Sequence, residues 1–160
     1  MDESSPPLDE LDRILIGALV RNARAGTTEL ARLAGVSRST VYARLDRLER
    51  TGAIMGYGPD VDPARAGYGV TAFCNLEISQ HSHHPVTSGL AAIAEVVEIH
   101  TITGPGDLLC RVVARSNDHL HQVLQQITGL DGVIRSQTQL ALHTSHRRSV
   151  AALVAGVASG

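Results

Sequence analysis

The chain of 160 residues is long enough for one ordinary domain or two small ones. With 43% hydrophobic and 19% charged residues, its composition is that of a globular protein, and a net charge of −2 means that any basic surface must be local. The N-terminus is acidic and polar rather than signal-like, and the apolar run from Val150 to Ala158 is far shorter than the roughly 20 residues of a membrane span. We therefore expect a cytoplasmic protein without a membrane partner.

The first predicted element is an amphipathic helix from Asp9 to about Asn22. Its apolar residues recur at the three- and four-residue spacing of one helix face: Leu11, Ile14, Leu15, Ala18 and Leu19. Residues 1–7, which precede this helix, are predicted to form a flexible arm. The helix is expected to supply the third wall of a small core.

Two short helices joined by a tight turn are predicted within residues 27–52. The first begins at the N-cap Thr27 and ends at Gly35, where a left-handed conformation costs least. The second begins at Ser37 and stops at Gly52. Their core-facing residues follow helical spacing: Leu30, Leu33, Ala34, Val41, Leu45 and Leu48. A turn of about 3–4 residues that contains glycine is the spacing of a helix-turn-helix.

Positive charge is concentrated on this hairpin and the residues just before it, since seven arginines from Arg21 to Arg50 accompany three acids. The outer face of the second helix combines small residues with guanidinium groups, which suits contacts with base edges and phosphates in a major groove. The residues predicted to contact DNA are Arg38, Ser39, Thr40, Ala43, Arg47 and Arg50. The alternative is a solvated helical hairpin that binds nothing. The combined pattern over residues 8–56 favours a DNA-binding domain.

The second half has a different pattern. A short strand is predicted at residues 53–61 and a linker at 57–67, followed by alternating strands and helices over 68–142. The predicted strands are Val70–Ile78, Val96–Thr103, Leu108–Arg115 and Val133–Leu142, and the helical stripes are Val86, Leu90, Ile93 and Ala94, then Leu120, Val123, Leu124 and Ile127. The order βαββαβ predicts a ferredoxin-like sandwich, so the fold class is α+β. Residues 143–160 are assigned to a C-terminal extension.

Two helices cover only one face of such a sheet. On the third strand Leu108, Cys110 and Val112 point to one face, while Leu109 and Val113 point to the other. Apolar residues on an open face predict an interface, and pairing with an identical copy is the simplest solution. We expect a homodimer formed through this face.

Residues 8 to 142 resemble the Lrp/AsnC (leucine-responsive/asparagine-regulator, "feast/famine") family of prokaryotic transcription regulators. The matching stretches are LDELDRILIGAL, LARLAGVSRSTVYARLDRLERTGAIMGY, TGPGDLL and GLDGVIRSQTQLAL. The resemblance implies a winged helix-turn-helix followed by a regulatory (RAM/ACT-like) domain that binds small amino-acid effectors. It also implies a double-stranded DNA operator as partner, and assembly into dimers and higher oligomers such as octamers.

The turn Gly104-Pro105-Gly106-Asp107 is the predicted effector site. Glycine-rich backbone lets N–H groups converge on the carboxylate of an amino acid, and Asp107 offers a negative partner for the ammonium. With hydrogen-bonding groups of neighbouring strands, the predicted effector residues are Thr101, Thr103, Gly104, Pro105, Gly106, Asp107, Ser136, Gln137 and Thr138. The family pattern has an aromatic where Gly106 stands, so we expect a wider pocket. By its composition, the turn also fits a simple hairpin in which Asp107 bonds its own backbone.

The residues also leave other functions open. His81, His83 and His84 cluster in a predicted solvated loop, which keeps a metal-sensing repressor as the alternative function, but no metal ligand is assigned. A regulator with a ligand other than an amino acid also stays open. Cys74 and Cys110 lack CxxC spacing and are predicted to be buried, reduced thiols. Because the chain offers no nucleophile–base pair, phosphate loop or paired carboxylates, it is predicted not to be an enzyme and to need no cofactor.

Overall fold

The computed structural model describes residues 7–156, which form two compact units. The first unit runs to residue 59 and also includes the segment that starts at residue 146, and the second spans residues 60–145. The predicted arm at residues 1–7 lies almost entirely outside the described residues. The predicted C-terminal extension is described up to residue 156, and its helix belongs to the first unit.

Six helices and four strands are described within residues 7–156. In chain order they are α1 (Glu10–Arg21), α2 (Thr27–Ala34), α3 (Arg38–Arg50), β1 (Val70–Ile78), α4 (His83–Ala91), β2 (Val96–Thr101), β3 (Leu108–Ala114), α5 (Asn117–Thr128), β4 (Val133–Ala141) and α6 (Val150–Val154). None of the helices described has the length and apolar character needed to cross a bilayer.

Local capping sets the start of the helices in the first unit. At α1 the Asp9 carboxylate accepts from the Asp12 N–H (3.0 Å) and the Asp12 carboxylate accepts from the Asp9 N–H (2.9 Å), a reciprocal capping box. The Ser37 hydroxyl caps α3 as predicted. The prediction of Thr27 as N-cap is wrong, because Gly26 occupies that position and Thr27 is already helical.

The core of the first unit lies between α1, α2 and α3. Leu15, Ala18, Leu30, Ala31 and Val41 are its buried residues. Leu33 was predicted to join them but is 44% exposed. On α2 the buried side is centred between Leu30, Ala31 and Ala34, and at 100° per residue Leu33 falls well outside that arc.

The segment after α3 is irregular, so the strand predicted at residues 53–61 is wrong. Instead, the Ile54 N–H donates to the Leu48 carbonyl (3.0 Å) and the Tyr57 hydroxyl donates to Glu49 Oε1 (2.6 Å). Burial and the neighbouring Glu49 raise the pKa of Tyr57 to about 12, which keeps this hydroxyl protonated as a donor. The helix-turn-helix is therefore followed by a loop that these two hydrogen bonds hold against α3, where a wing strand was expected.

The second unit is the predicted ferredoxin-like domain, with all neighbouring strands antiparallel in the order β2-β3-β1-β4. Buried residues alternate along β1, and both α4 and α5 pack on the same face of the sheet. The core consists of Ala72, Cys74, Leu76, Val86, Leu90, Ile93, Leu108, Cys110, Val112, Ala114, Leu120, Val123 and Ile127. The opposite sheet face carries no helix of this unit.

Helix α4 begins earlier than predicted. Residues 79–85 were expected to form a solvated loop, yet His83, His84 and Pro85 form the first turn of the helix. Proline is tolerated there because the first N–H groups of a helix have no intrahelical acceptor. The histidine cluster is thus divided between the turn, at His81, and the helix.

Candidate nucleic-acid interface and effector site

The outer face of α3 presents most of the predicted DNA-contacting residues. Arg38, Ser39 and Ala43 are exposed, and the Arg50 side chain is 71% exposed beside Asp46. Thr40 is different, because it is half-buried and its hydroxyl lies 2.8 Å from the Ser37 hydroxyl at the helix cap. These positions give α3 a surface of small side chains with a cation at each end, which can approach the edge of a duplex.

The Arg47 side chain does not lie on this exposed face of α3. Its guanidinium donates to the carboxylate of Asp12, and its side chain is only 28% exposed. Arg44 joins the same cluster, donating to Asp9 and approaching Asp12 at 3.4 Å. Our prediction that Arg47 projects away from the core is therefore wrong, since the buried Asp12 on α1 holds it. The two arginines fasten α3 to α1.

The electrostatics of this cluster follow from its geometry. The bond from the Asp12 N–H, and then the Arg44 guanidinium, lower the pKa of Asp9 to about 2. Conversely, Asp9 raises the pKa of Arg44 above its ordinary value. Both groups are therefore charged at neutral pH, and acids at the N-terminus of α1 also suit its helix dipole. Asp12 is fully buried between them.

One exposed residue beside the predicted DNA-contacting residues was not identified from the sequence. Tyr42 follows the buried Val41 and is 64% exposed on α3, one helical turn after Ser39. Side chains three residues apart are neighbours on a helix surface, and this spacing could have identified it. A phenol ring beside Ala43 offers a hydroxyl and an apolar ring edge to a base pair.

The predicted effector turn is tied to the end of β1. Asp107 donates its N–H to the Leu76 carbonyl (2.8 Å) and accepts the Ile78 N–H on Oδ2 (2.8 Å). The Asn75 side-chain amide donates to the Pro105 carbonyl (2.6 Å). The Asp107 carboxylate thus bonds the backbone of a neighbouring strand rather than its own turn, and part of it is already occupied.

Gly106 has a positive φ of +99° and no room for a side chain. A Cβ built there would lie 1.8 Å from Asn75 Oδ1. The wider pocket that we expected from the missing aromatic is therefore not present on this side, because Asn75 fills it. Asn75 Oδ1 is also a buried acceptor without a hydrogen-bond partner among the described residues.

The structure distributes the remaining effector residues over two faces of the sheet. Ser136 and Thr138 lie opposite Leu76 and Cys74, on the face covered by helices. Gln137 lies on the open face. On the first of these faces, Thr138 Oγ1 is 3.4 Å from the Cys74 sulfur. One copy of the chain does not bring these residues together at one point.

Thr101 and three of the histidines, His83, His100 and His119, have partners of their own. Thr101 Oγ1 lies 2.9 Å from His83 Nε2 at the start of α4. His119 Nε2 lies 3.2 Å from Glu95, and His100 Nε2 lies 3.4 Å from Glu98. Within residues 7–156, no three His, Cys, Asp or Glu side chains are grouped so that they could hold a metal ion. The alternative of a metal sensor gains no support.

The two cysteines are free and buried, as predicted. They face each other across β1 and β3, at the register position Cys74–Cys110. Burial raises the pKa of both thiols, and with the added effect of Cys74 that of Cys110 rises to about 11. Both are therefore protonated at neutral pH and are poor nucleophiles.

The open face of the sheet mixes apolar and charged residues. The register places Val113 opposite Thr71, Leu109 opposite Asn75, and Arg111 opposite Phe73 on this face, as the alternation along β3 predicted. Phe73 is 37% exposed there. An aromatic ring, two aliphatic side chains and an ion pair between Arg111 and Glu98 thus share this face.

Two family models together span most of the chain. The AsnC-type helix-turn-helix domain matches residues 8–49, and the Lrp/AsnC ligand binding domain matches residues 71–150. The regulatory protein AsnC of Escherichia coli is 31% identical over 145 residues, which are 89% of this chain and 95% of AsnC. The chain belongs to the Lrp/AsnC family.

Other similar proteins and solved structures are also regulators of this kind. The transcriptional regulator FL11 of Pyrococcus horikoshii is 29% identical over 138 residues, 86% of this chain and 91% of FL11. The structure of E. coli AsnC superimposes with a TM-score of 0.83, covering 91% of this chain and 99% of AsnC. A Neisseria meningitidis transcriptional regulator, solved in complex with L-Met, shares the fold at 24% identity and a TM-score of 0.78, covering 88% of this chain and 94% of its own.

These relatives and both matched domains are those of transcriptional regulators. The chain is therefore a DNA-binding transcriptional regulator of the AsnC/Lrp type, and not an enzyme.

Proposed function

We propose that this regulator binds a pseudo-palindromic operator as a homodimer, with one α3 helix in each major groove. The observation that carries the proposal is the exposed face of α3, where Ser39, Tyr42 and Ala43 lie between Arg38 and Arg50. Small side chains let the helix approach base edges, while the terminal arginines reach phosphates. Half-sites are expected about one helical turn, or a multiple of it, apart. We place this activity in the cytoplasm.

Replacing Arg38 with alanine is expected to weaken operator binding and to lower the slope of log K against log salt by about one, because one phosphate contact is lost. Arg47→Ala is expected to leave that slope unchanged, since Arg47 is held by Asp12. Titrations of a duplex selected from a random library, at several salt concentrations, measure both. Arg65→Ala, far along the chain and 90% exposed, is the control for loss of a positive charge.

An unchanged slope for Arg38→Ala would contradict the assignment of this face. A reduced slope for Arg47→Ala would instead return Arg47 to the phosphate contacts. Ser39→Ala and Tyr42→Ala are expected to alter sequence preference rather than salt dependence, because base contacts carry specificity.

The homodimer is proposed to form through the open face of the sheet. Phe73 and the partly buried Leu109 give this face its apolar character, whereas Val113 is already buried within one chain. An identical copy can cover the exposed apolar surface by pairing sheet against sheet. Phe73→Glu is expected to shift the full chain from dimer to monomer in light scattering, whereas Leu140→Glu, 52% exposed and opposite Ala72 on the other sheet face, is expected to leave it dimeric. A monomeric wild type at high micromolar concentration contradicts the proposal. Rings of four dimers are a further step of the same assembly.

The effector is proposed to be a small amino acid bound at residues 104–107, near the dimer interface. Two features support it. Asp107 lies in an exposed turn, and the bond from the Ile78 N–H occupies only part of its carboxylate. The buried acceptor Asn75 Oδ1 beside that turn lacks a hydrogen-bond partner among the described residues. An ammonium group satisfies such acceptors with charge-assisted hydrogen bonds. The residues predicted on strands, Thr101, Thr103, Ser136, Gln137 and Thr138, stay candidates for contacts across the dimer.

A thermal-shift screen of the twenty amino acids tests this proposal, because a ligand of the native state raises the melting point. L-methionine is included since the Neisseria regulator was solved with it. For each hit, Asp107→Asn is expected to reduce the calorimetric affinity roughly ten- to hundredfold, as a charge-assisted bond is lost. Asp118→Asn, on α5, is the charge control. The absence of any hit contradicts an amino-acid effector, and equal affinities remove Asp107 from the site.

A further inference from the structure

The C-terminal helix α6 is packed against α1 within the first unit. The closest approach is at Gly17, where an added Cβ would lie 3.3 Å from the Cβ of Ala155. Ser149 caps α6 by accepting the Ala152 N–H (3.1 Å), and Gly156, at φ +64°, follows its C-terminus. A helix of so few residues is not stable alone, so its contact with α1 is what maintains it.

Helix α1 therefore has two occupied faces. Leu15 and Ala18 pack into the helix-turn-helix core. On the other side Glu10, Ile14, Gly17 and Arg21, spaced by three and four residues, line a cavity of about 330 Å³ together with residues 154–156. The absence of a side chain at Gly17 is what permits close approach of the second helix.

This contact lies at the C-terminal end of the residues that the family model matches. The ligand-binding model ends at residue 150, where α6 begins. Most of α6 therefore lies beyond the residues that the ligand-binding family model matches.

The docking of α6 adds a second connection between the two units. The chain leaves the first unit after Tyr57, which is bonded to Glu49, through residues 58–69, and returns to it through residues 142–149. At roughly 3.3–3.6 Å per residue, the outgoing segment can span at most about 40 Å and the returning one only about 30 Å. With α6 docked, the shorter segment limits how far the DNA-binding unit can move from the ligand-binding unit.

We propose that α6 is an intramolecular clamp that shortens the connection between the DNA-binding domain and the ligand-binding domain and so restricts the separation of the two recognition helices. The proposal rests on the homodimer proposed above. When one helix is bound to its half-site, a shorter tether raises the effective concentration of the second helix at the other half-site. The clamp strengthens binding to two half-sites and leaves binding to a single half-site unaffected.

The test compares Ala155→Arg, which forces a long side chain against Gly17, with Val150→Arg, which adds the same charge at a position of α6 that is 75% exposed. Ala155→Arg is expected to weaken binding to a duplex with two half-sites by roughly two- to threefold, because the longer segment becomes the tether, while affinity for one half-site is unchanged. Val150→Arg is expected to change neither. Hydrogen exchange at the outer face of α1 should be faster in Ala155→Arg and unchanged in Val150→Arg. A chain ending at Arg148 should behave as Ala155→Arg does.

Three results would overturn the clamp. Equal losses on one and two half-sites would show that α6 only supports the fold of the helix-turn-helix. Unchanged affinities in the chain ending at Arg148 would show that the tether has no effect on DNA binding. A monomeric chain ending at Arg148 would show that α6 docks on the partner subunit. Failure of the dimer itself is recognised separately, because the wild type would then bind two half-sites no better than one.

Discussion

Asp12→Ala is expected to lower the free energy of unfolding of the first unit by about 2–4 kcal/mol. Removing one partner of a buried ion pair typically costs about 3–5 kcal/mol, and the guanidinium groups of Arg44 and Arg47, 30% and 28% exposed, recover part of this by hydration. The capping bond that the Asp9 N–H donates to the Asp12 carboxylate is lost as well. Chemical denaturation followed by circular dichroism, which is dominated by the helices, measures the change.

The matched control is Asp46→Ala on α3. Asp46 pairs with Arg50 at 3.0 Å, but the two side chains are 67% and 71% exposed, so its loss is expected to cost less than about 1 kcal/mol. Similar losses for the two variants would contradict the role of Asp12 as the anchor of α3. Because operator binding depends on the position of α3, Asp12→Ala should also weaken it for every sequence by a similar factor.

Gly106→Ala is expected to destabilise the second unit by about 2–4 kcal/mol, combining strain at positive φ of roughly 1–3 kcal/mol with displacement of Asn75. Gly104→Ala separates these effects. Gly104 has nearly the same φ, +100°, but nothing lies within 4 Å of its Cβ position, so only the strain term is expected. Thermal unfolding of the full chain, monitored at the transition of the second unit, gives both values.

Removing the obstructing side chain provides a second check. In the background of Asn75→Ala, Gly106→Ala is expected to cost no more than Gly104→Ala, since the contact at 1.8 Å no longer exists. If the cost of Gly106→Ala is the same with and without Asn75, the close contact does not explain the requirement for glycine here.

Local patterns in the sequence were sufficient to predict most of the helices and strands. Alternation along residues 70–78 and the 3.6-residue period of α5 each report which face is buried, because period and burial are coupled within one element. Ser37 and Gly35 punctuate the helices through bonds and dihedral angles within a few residues. Such features were predicted correctly since their causes are local.

The failures have equally physical reasons. A strand at residues 53–61 requires a partner strand, and residue types alone cannot show that the first unit offers none within the described residues. Ser136 and Thr138 share their strand with Gln137, but the alternation of β4 separates them onto opposite faces. Leu33 was assigned to the core from spacing on a helix of only eight residues, where the centre of the buried arc is poorly defined.

The sequence alone determined the family, the order of the elements and the exposed arginines at the ends of α3, because helix period, turn residues and motif spacing are properties of short stretches. Only the tertiary structure decided that Arg47 belongs to Asp12, that Asn75 fills the space beside Gly106, and that α6 returns to α1. These contacts join residues more than thirty positions apart. Their partners are selected by the packing of whole elements, which no local pattern encodes.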